Sequence, residues 1–262
     1  AMMDSRVAEA DLLRAVSRRL GRRDDPEGRP ALPAPATALW NPSSSLPDKP
    51  AVMDRETLTQ RFLAELSRLG GHGVRAGSPG EVVDYVRTVA AGGAVVMWDD
   101  PLLARLGLAS ALAGGPAAAL AGAPTEPGLE VTVWGPALGR AAAKSIAAGS
   151  RTGITSAAWG VAETGTIVLP TGTGQGRLVS LLPPVHIALL PEEHLLPSVA
   201  ELFRVLAREA RTGSALPSSL SLATGPSRSA DIENDLTIGV HGPVEVHVVL
   251  LSDKAPDEQA LA

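Results

Sequence analysis

The sequence predicts an α/β fold in which helices flank a mixed, largely parallel sheet. An unbroken apolar run at 94–98 lies between Gly and Asp, as is typical of a buried parallel strand. Helical and strand-like patterns alternate through the first half of the domain, and the second half is richer in short apolar strands. A length of 262 residues allows one domain with a full hydrophobic core, with or without an appendage.

The N-terminal region 1–52 is predicted to be an extension, and 53–262 to be the α/β domain. The pattern over 5–20 predicts a short helix, and 22–50 has the Pro-rich composition of an extended linker. We expect the helix to dock either on its own domain or on a second copy of the chain. Five apolar residues form its face: Val7, Leu12, Leu13, Val16 and Leu20.

Two amphipathic helices are predicted to open the domain. Asp54 is placed to cap the first helix, which carries apolar residues at helical spacing as far as Leu69 and closes at Gly70-Gly71. The segment Ser78-Pro79-Gly80-Glu81 has the pattern of a capping box with Pro at the first helical position. This segment therefore predicts the start of the second helix.

Further elements follow in order along the chain. Asp99-Asp100-Pro101 predicts a helix that runs toward Leu112, and Leu129–Trp134 predicts the next strand. One long helix is expected from Glu192 to about Arg211, with Pro197 in its early turns. Six more strands are predicted: Thr166–Leu169, Leu178–Leu182, His186–Leu190, Leu220–Ala223, Leu236–Val240 and Val244–Leu251.

Composition excludes several classes of function. Because cysteine is absent, this chain can form no disulfide, thiolate nucleophile, Cys-ligated zinc site or iron–sulfur cluster of its own. A net charge of −5 with 3% aromatic residues argues against nucleic-acid binding. The five histidines lack metal-ligand spacing, so no metal is expected. Neither a membrane span nor a signal-peptide pattern is found, which predicts a cytoplasmic protein.

The first candidate site lies between Gly153 and Thr166, where small residues end in Glu-Thr-Gly-Thr before an apolar strand. Small side chains let backbone N–H groups approach a ligand, and Glu163 adds a carboxylate and is the candidate catalytic residue. The alternative is tight helix–sheet packing with a solvated Glu163. The candidate ligand-binding residues are Thr155, Glu163, Thr164, Gly165 and Thr166.

The second candidate site is the glycine-rich segment Pro170–Arg177, followed by a Pro-Pro-x-His step. Gly174 and Gly176 favour a backbone nest for a small anion, with Arg177 as its counter-charge, although a plain hairpin loop explains the pattern equally well. The segment matches neither a Walker loop nor a Rossmann fingerprint. His186 is expected at a strand start, where it either faces a cleft or is a hydrogen-bonded structural residue.

The third candidate site follows the strand that ends near residue 223. Ser227 is predicted to cap a short helix whose N-terminus is suited to a phosphate or carboxylate, and Arg228 with Asp231 is either part of that site or an internal ion pair. The loop is expected beyond the carboxyl ends of the parallel strands. The candidate residues are Gly225, Ser227, Arg228, Asp231 and, in the following Gly-Val-His-Gly-Pro segment, His241.

These segments together resemble the LUD-domain family, in its lactate-utilisation protein C branch. Order and spacing agree over about 54–252, and Ser229 stands where the family commonly has Thr. The resemblance rests on Gly153-Ile154-Thr155, Ala162-Glu163-Thr164-Gly165-Thr166, Leu182-Pro183-Pro184-Val185-His186-Ile187, Gly225-Pro226-Ser227-Arg228-Ser229-Ala230-Asp231-Ile232-Glu233 and Gly239-Val240-His241-Gly242-Pro243.

The resemblance implies a NagB/RpiA/CoA-transferase-like fold and a role in oxidising L-lactate to pyruvate as one of three proteins. The other two proteins of that system carry cysteine-rich iron–sulfur motifs, so they are the expected partners of a chain without cysteine. We expect no covalent or iron–sulfur cofactor in this chain. A homodimer is a further alternative.

The sequence is consistent with three functions. The chain is a non-iron–sulfur subunit of the lactate-oxidising system that binds substrate, an anionic cofactor or its partner subunits. Alternatively, it is a stand-alone enzyme of the same fold group: a CoA transferase, a sugar-phosphate isomerase or a formyltetrahydrofolate cyclo-ligase relative. In that enzyme Glu163 would be the nucleophile or base. The third interpretation is a regulatory binding module, and the sequence leaves open whether the chain is an enzyme.

Overall fold

The computed structural model describes residues 53–114, 128–135, 137–211, 217, 219–230 and 236–252. The predicted N-terminal extension at 1–52 lies outside the described residues, so its boundary with the domain stays a prediction. The α/β class, with a largely parallel sheet flanked by helices, is confirmed.

A six-stranded parallel sheet forms the centre of the domain. Every neighbouring pair in it is parallel, and its inner strands are almost entirely buried, as both faces are covered. In spatial order its strands are β1 (His72–Ala76), β12 (Glu245–Leu251), β7 (Val185–Pro191), β4 (Thr152–Ser156), β2 (Val95–Trp98) and β3 (Val131–Trp134).

Seven α-helices lie within the described part of the chain. They are α1 (Arg55–Arg68), α2 (Pro79–Ala90), α3 (Pro101–Arg105), α4 (Leu108–Leu112), α5 (Arg140–Gly149), α6 (Leu178–Leu181) and α7 (Val199–Arg211). The predicted caps of α1 and α2 are confirmed: Asp54 accepts from the backbone N–H of Thr57, and Ser78 from that of Glu81. The Glu81 carboxylate accepts from the N–H of Gly77 at 2.8 Å, one residue before the cap, whereas a capping box uses the N–H of the cap residue itself.

A second, mixed sheet contains β8 (Leu195–Leu196), β5 (Trp159–Val161), β6 (Thr166–Thr171) and β9 (Ser219–Ala223), in that spatial order. Helix α7 packs on this sheet through a small apolar cluster of Val161, Val168 and Leu202. A separate antiparallel hairpin is formed by β10 (Arg228–Ala230) and β11 (Leu236–Ile238).

The direction of chain travel across the parallel sheet reverses between β2 and β4. From β2 the chain continues outward to β3 at the edge, whereas from β4 it continues through β7 to β12 on the other side. Loops that leave the carboxyl ends of β2 and β4 therefore diverge. In open α/β sheets this arrangement leaves a crevice where ligands commonly bind.

Two predicted elements were wrong, each for a different reason. The segment Leu178–Leu182, predicted as a strand, forms helix α6, since a run this short fits either structure. The long helix predicted from Glu192 begins only at Val199. Before it come a 3₁₀ turn and strand β8, because Pro197 disfavours helical backbone in the residue before it.

Other differences arise at glycine and in small-residue segments. The helix predicted from Pro101 to Leu112 is divided into α3 and α4 at Gly107, whose φ of +59° belongs to the left-handed region. Strands β1, β4 and β5 and helix α5 were not predicted. In β4 and β5, Gly, Thr, Ser and Trp replace the Val/Ile/Leu runs that identify buried strands.

Candidate functional site

A hydrogen-bonded side-chain cluster lies at the crevice between β2 and β4. Asp100 is the second residue after β2, and its Oδ2 accepts hydrogen bonds from Ser156 Oγ at 2.8 Å and from Gln175 Nε2 at 3.0 Å. Its Oδ1 accepts from the N–H of Leu102 at 2.9 Å and caps α3. Asp100 and Ser156 are 7% and 8% exposed. One buried carboxylate is thus held by groups from three different parts of the chain.

The glycine-rich loop between β6 and α6 lies across the same crevice. The backbone N–H of Asp99 donates to the carbonyl oxygens of Gly174 at 3.1 Å and Trp134 at 3.2 Å. From the other side, the indole N–H of Trp98 donates to the carbonyl oxygen of Gly176 at 2.9 Å. The loop is therefore fixed to the carboxyl ends of β2 and β3.

Close packing explains two glycines of this loop. Gly174 has a φ of +79°, and a Cβ there would lie 2.6 Å from the carbonyl oxygen of Asp99. A Cβ on Gly176 would lie 2.2 Å from the Trp134 ring. The carboxylates of Asp99 and Asp100 next to the loop disfavour an anion at that point. The exposed Arg177 makes no side-chain hydrogen bond to the described residues, so it is a cation that a ligand can reach.

Thr155 and His186 form a buried pair inside the molecule. Thr155 Oγ1 and His186 Nε2 are 2.9 Å apart, and both residues are at most 1% exposed. Burial, with a smaller contribution from the charge of His247, lowers the pKa of His186 to about 4. His186 is therefore neutral near pH 7. The geometry favours the interpretation of a hydrogen-bonded structural histidine over one that faces a cleft.

Glu163 is exposed and lies in the turn between β5 and β6. Its Oε2 accepts a hydrogen bond at 3.2 Å from the backbone N–H of Val199, at the start of α7. A carboxylate at a helix N-terminus satisfies a free N–H and interacts favourably with the helix dipole. None of its described hydrogen bonds involves Asp100 or His186, so the structure does not bring the candidate catalytic residue into the crevice.

Beside Glu163, three threonine hydroxyls form a hydrogen-bonded chain. The Oγ1 atoms of Thr164 and Thr166 are 2.7 Å apart, and those of Thr166 and Thr224 are 2.8 Å apart. The chain ties the β5–β6 turn to the end of β9. The candidate residues Thr164 and Thr166 therefore have partners within the fold.

The C-terminal end of α1 collects three more candidate residues. Gly165, with a φ of +60°, packs against the backbone of Leu66, and Gly225 packs against Leu69. The guanidinium of Arg228 donates to the carbonyl oxygen of Leu69. An arginine at a helix C-terminus satisfies a free carbonyl and complements the helix dipole. These residues brace α1 against the β5–β6 turn and the β10 hairpin.

The third candidate site differs from its prediction. Ser227 caps no helix, because Arg228–Ala230 is strand β10. The N–H of Ser227 donates to the carbonyl oxygen of Pro243 at 3.0 Å, just before β12 begins. The segment therefore lies at the amino-terminal edge of the parallel sheet. It was expected at the carboxyl edge, but the preceding strand, β9, belongs to the other sheet. His241 is exposed on this edge, and Asp231 lies outside the described residues.

The sequence prediction missed Asp100, Ser156 and Gln175. Asp100 was interpreted only as part of the start of a helix, although polar residues just after a buried strand also mark the carboxyl edge of a sheet. Ser156 and Gln175 lie within the first and second candidate segments but carry no signal of their own. The assignment of ligand-binding roles to the predicted residues stays a prediction.

Two searches of the described residues gave negative findings. No group of three or more His, Cys, Asp or Glu side chains is placed to hold a metal ion. No helix in the described ranges is long and apolar enough to cross a membrane.

Comparison with known proteins gave one family and several relatives. The family model of the LUD domain matches residues 59–251. "Lactate utilization protein C" of Halalkalibacterium halodurans is 37% identical over 160 residues, which are 61% of this chain and 63% of that protein. The protein of the same name from Geobacillus sp. is 35% identical over 165 residues, 62% of this chain and 64% of the relative.

The same name is carried by a Bacillus subtilis protein, 37% identical over 163 residues, 62% of this chain and 64% of the relative. The chain thus matches slightly less than two thirds of the length of these relatives. Among solved structures, a "duf162 family protein" from Deinococcus radiodurans aligns with a TM-score of 0.49 and 21% identity. That alignment covers 76% of this chain and 99% of the other.

Proposed function

The chain belongs to the LUD domain family, and we propose that it is the non-iron–sulfur subunit of a system that oxidises L-lactate to pyruvate. The observation that carries the proposal is its similarity, at 35–37% identity, to three proteins named lactate utilization protein C. Oxidation of L-lactate to pyruvate removes two electrons and two protons, so an electron acceptor is required.

Absence of cysteine supports a division of labour within that system. The 262 residues contain no Cys, so this chain supplies no thiolate ligand to an iron–sulfur cluster. We therefore place the electron-accepting clusters on cysteine-rich partner proteins. The cytoplasmic location and the homodimer expected from the sequence stay predictions.

Binding of the substrate or of an anionic cofactor is the finer part of the proposal, and the crevice between β2 and β4 is its most favourable location. A carboxylate ligand would have to avoid Asp99 and Asp100, so we assign its recognition to the exposed Arg177 at the start of α6. The Asp100–Ser156–Gln175 cluster would hold the loop that carries Arg177 in place.

The stand-alone enzyme with Glu163 as nucleophile or base gains no support from the geometry. Glu163 is exposed and is hydrogen-bonded to the start of α7, and no described hydrogen bond joins it to a second candidate catalytic group. An activated carboxylate nucleophile or base requires such a partner or a desolvated position.

A genetic and biochemical experiment tests the proposed subunit. The gene is deleted from the source organism, growth on L-lactate and on glucose is compared, and an affinity-tagged copy is used to recover bound proteins. We expect loss of growth on L-lactate alone and recovery of cysteine-rich iron–sulfur proteins. Normal growth on L-lactate together with no recovered iron–sulfur protein would contradict the proposal.

A further inference from the structure

A group of titratable side chains outside the crevice lies at the start of strands β1 and β12. His72 and His247 are registered partners across these strands, and their rings stack with centroids 4.6 Å apart and an interplanar angle of 22°. The hydroxyl of Tyr85, from α2, is 2.8 Å from His247 Nδ1. Glu245 Oε2 is 3.3 Å from His247 Nε2.

Tyr85 and His72 favour the neutral ring of His247, and Glu245 selects its tautomer. Glu245 can only accept a hydrogen bond when ionised, so it favours the tautomer with the proton on Nε2. Nδ1 is then a free acceptor for the hydroxyl of Tyr85. A second proton on Nδ1 would remove that acceptor and place a positive charge against His72. His247 is only 6% exposed, so water does little to screen this charge.

The His72–His247 pair connects the edge strand β1 to β12 and so to the rest of the sheet. Within the described residues, β12 is the only strand that pairs with β1. At its other end β1 is held by Arg75, whose guanidinium donates to Glu192 and to Glu56. The amino-terminal end of β1 is held in place by the stack of His72 on His247.

We propose that the His72–His247 stack is a proton-operated latch, closed when His247 is neutral and opened when it is protonated, which controls the attachment of β1 to β12. Opening would release the amino-terminal end of β1 together with the α1–β1 connection. This inference is independent of the proposed function, because it concerns the sheet edge and not the crevice.

The charged and titratable groups around His247 determine the direction of the effect. Burial lowers the pKa of His247, the hydrogen bond to Glu245 and the charge of Glu245 oppose this change, and the charge of His72 lowers the pKa further. Tyr85, from α2, remains protonated because burial raises its pKa. The pKa of His186 of β7 is lowered to about 4, so this residue is mostly neutral at pH 5.0 and above. The folded ring therefore resists protonation, and falling pH favours the open state.

Hydrogen exchange of backbone amides tests the latch in the full-length chain. Protection at 72–76 is measured relative to β4 at pH 7.5 and pH 5.0, after correction for the intrinsic exchange rates. We expect the protection of β1 relative to β4 to be lower at pH 5.0 than at pH 7.5, because the folded ring of His247 resists protonation. Equal loss in β1 and β4 would mean global unfolding and would overturn the proposal, as would no loss at all.

Two variants and a control assign the effect to the pair. His72→Gln removes the second charge, and His72→Phe keeps a stacked ring that cannot be protonated, so both should lose the part of the pH dependence that the charge of His72 contributes. His72 is exposed, so neither change disturbs the core. His194→Gln, at an exposed histidine, should behave as the wild type. A pH-dependent loss of protection that is as large in both His72 variants as in the wild type would overturn the assignment.

Discussion

Asp100 joins three segments of the chain through one buried carboxylate. It caps α3 and accepts hydrogen bonds from Ser156 and Gln175, whereas the adjacent Asp99 has an exposed side chain. The two residues have the same chemistry and neighbouring positions. Their different surroundings therefore make them a matched pair for measuring what the cluster contributes.

We predict that Asp100→Ala lowers the free energy of unfolding by about 2–4 kcal/mol. Loss of a helix cap costs about 1 kcal/mol, and the buried Ser156 hydroxyl left without its acceptor costs about 1–3 kcal/mol more. Asp99→Ala should stay within about 0.5 kcal/mol of the wild type. Chemical denaturation of the three proteins measures these values, and equal effects of the two substitutions would contradict the account of the cluster.

His186 makes the stability of the protein depend on pH. Its folded-state pKa of about 4 lies below the ordinary value of 6.5, so the unfolded chain binds the proton more readily. Stability is therefore present above about pH 6.5 and is lost progressively toward pH 4, by about 3 kcal/mol for this residue. Denaturation at pH 7.0 and 4.5 should show a smaller loss in His186→Gln than in the wild type. An unchanged loss in that variant would be the contrary result, and His194→Gln is the control.

Arg177 is the residue to which we assign recognition of an anionic ligand. Replacing it by Gln removes a charge-assisted hydrogen bond, so binding of L-lactate or pyruvate should weaken tenfold or more. Arg151 is a matched control, because it is also exposed but precedes β4 at the opposite edge of the sheet. Titration calorimetry compares Arg177→Gln with Arg151→Gln, and equal affinities would remove Arg177 from the site.

Residue identity alone predicted Gly174 and Gly176 as members of a backbone nest for a small anion. The structure shows both glycines packed closely against Asp99 and Trp134, and the anion nest stays a prediction. Asp100 was not predicted as a site residue, because its partners come from segments 56 and 75 residues away along the chain. Such contacts depend on the spatial order of the strands in the sheet, which could not be predicted from the sequence.

At the scale of elements, helix α6 depends on the absence of a side chain in β4. A Cβ on Gly153 would lie 1.8 Å from the carbonyl oxygen of Val179 and 3.0 Å from the ring of Pro183. The backbone of α6 therefore rests directly on the strand. This contact holds the end of the glycine-rich loop close to the parallel sheet.

We predict that Gly153→Ala lowers the free energy of unfolding by about 3 kcal/mol or more, since α6 would have to move away from the sheet. Gly149→Ala is the control, because a Cβ at the end of α5 meets no atom within 4 Å. That change should leave stability within about 1 kcal/mol or raise it slightly. Thermal denaturation of both variants gives the comparison, and a fully stable Gly153→Ala protein would show that the contact is not tight.

Elements with local signals were predicted and those that depend on distant packing were not. The caps Asp54 and Ser78 act within their own turns, so their helices were confirmed. Helix α6 has the apolar composition of a strand but is helical. Its backbone packs against Gly153 of β4, a contact that the local sequence does not reveal. Strand β4 contains only one Val, Ile or Leu residue and so lacks the apolar run of a buried strand, and β2 and β7 pair with it on both sides.

At the scale of the whole molecule, strand order connects the sequence segments to a location for function. Order β1–β12–β7–β4–β2–β3 brings the ends of β2 and β4 together and places the glycine-rich loop above them. It also places the Ser227 segment at the opposite edge, which the sequence could not predict. The family assignment, by contrast, follows from the spacing of short segments and did not require the strand order.

The most direct test of the central claim is L-lactate-dependent formation of pyruvate in cell extracts. Extract from a strain that lacks only this gene is assayed with and without the purified chain, in the presence of an artificial electron acceptor. We predict that the extract forms little pyruvate alone and that the added chain restores formation to the level of the parent strain. Equal pyruvate formation with and without the chain would contradict its role as a subunit of the lactate-oxidising system.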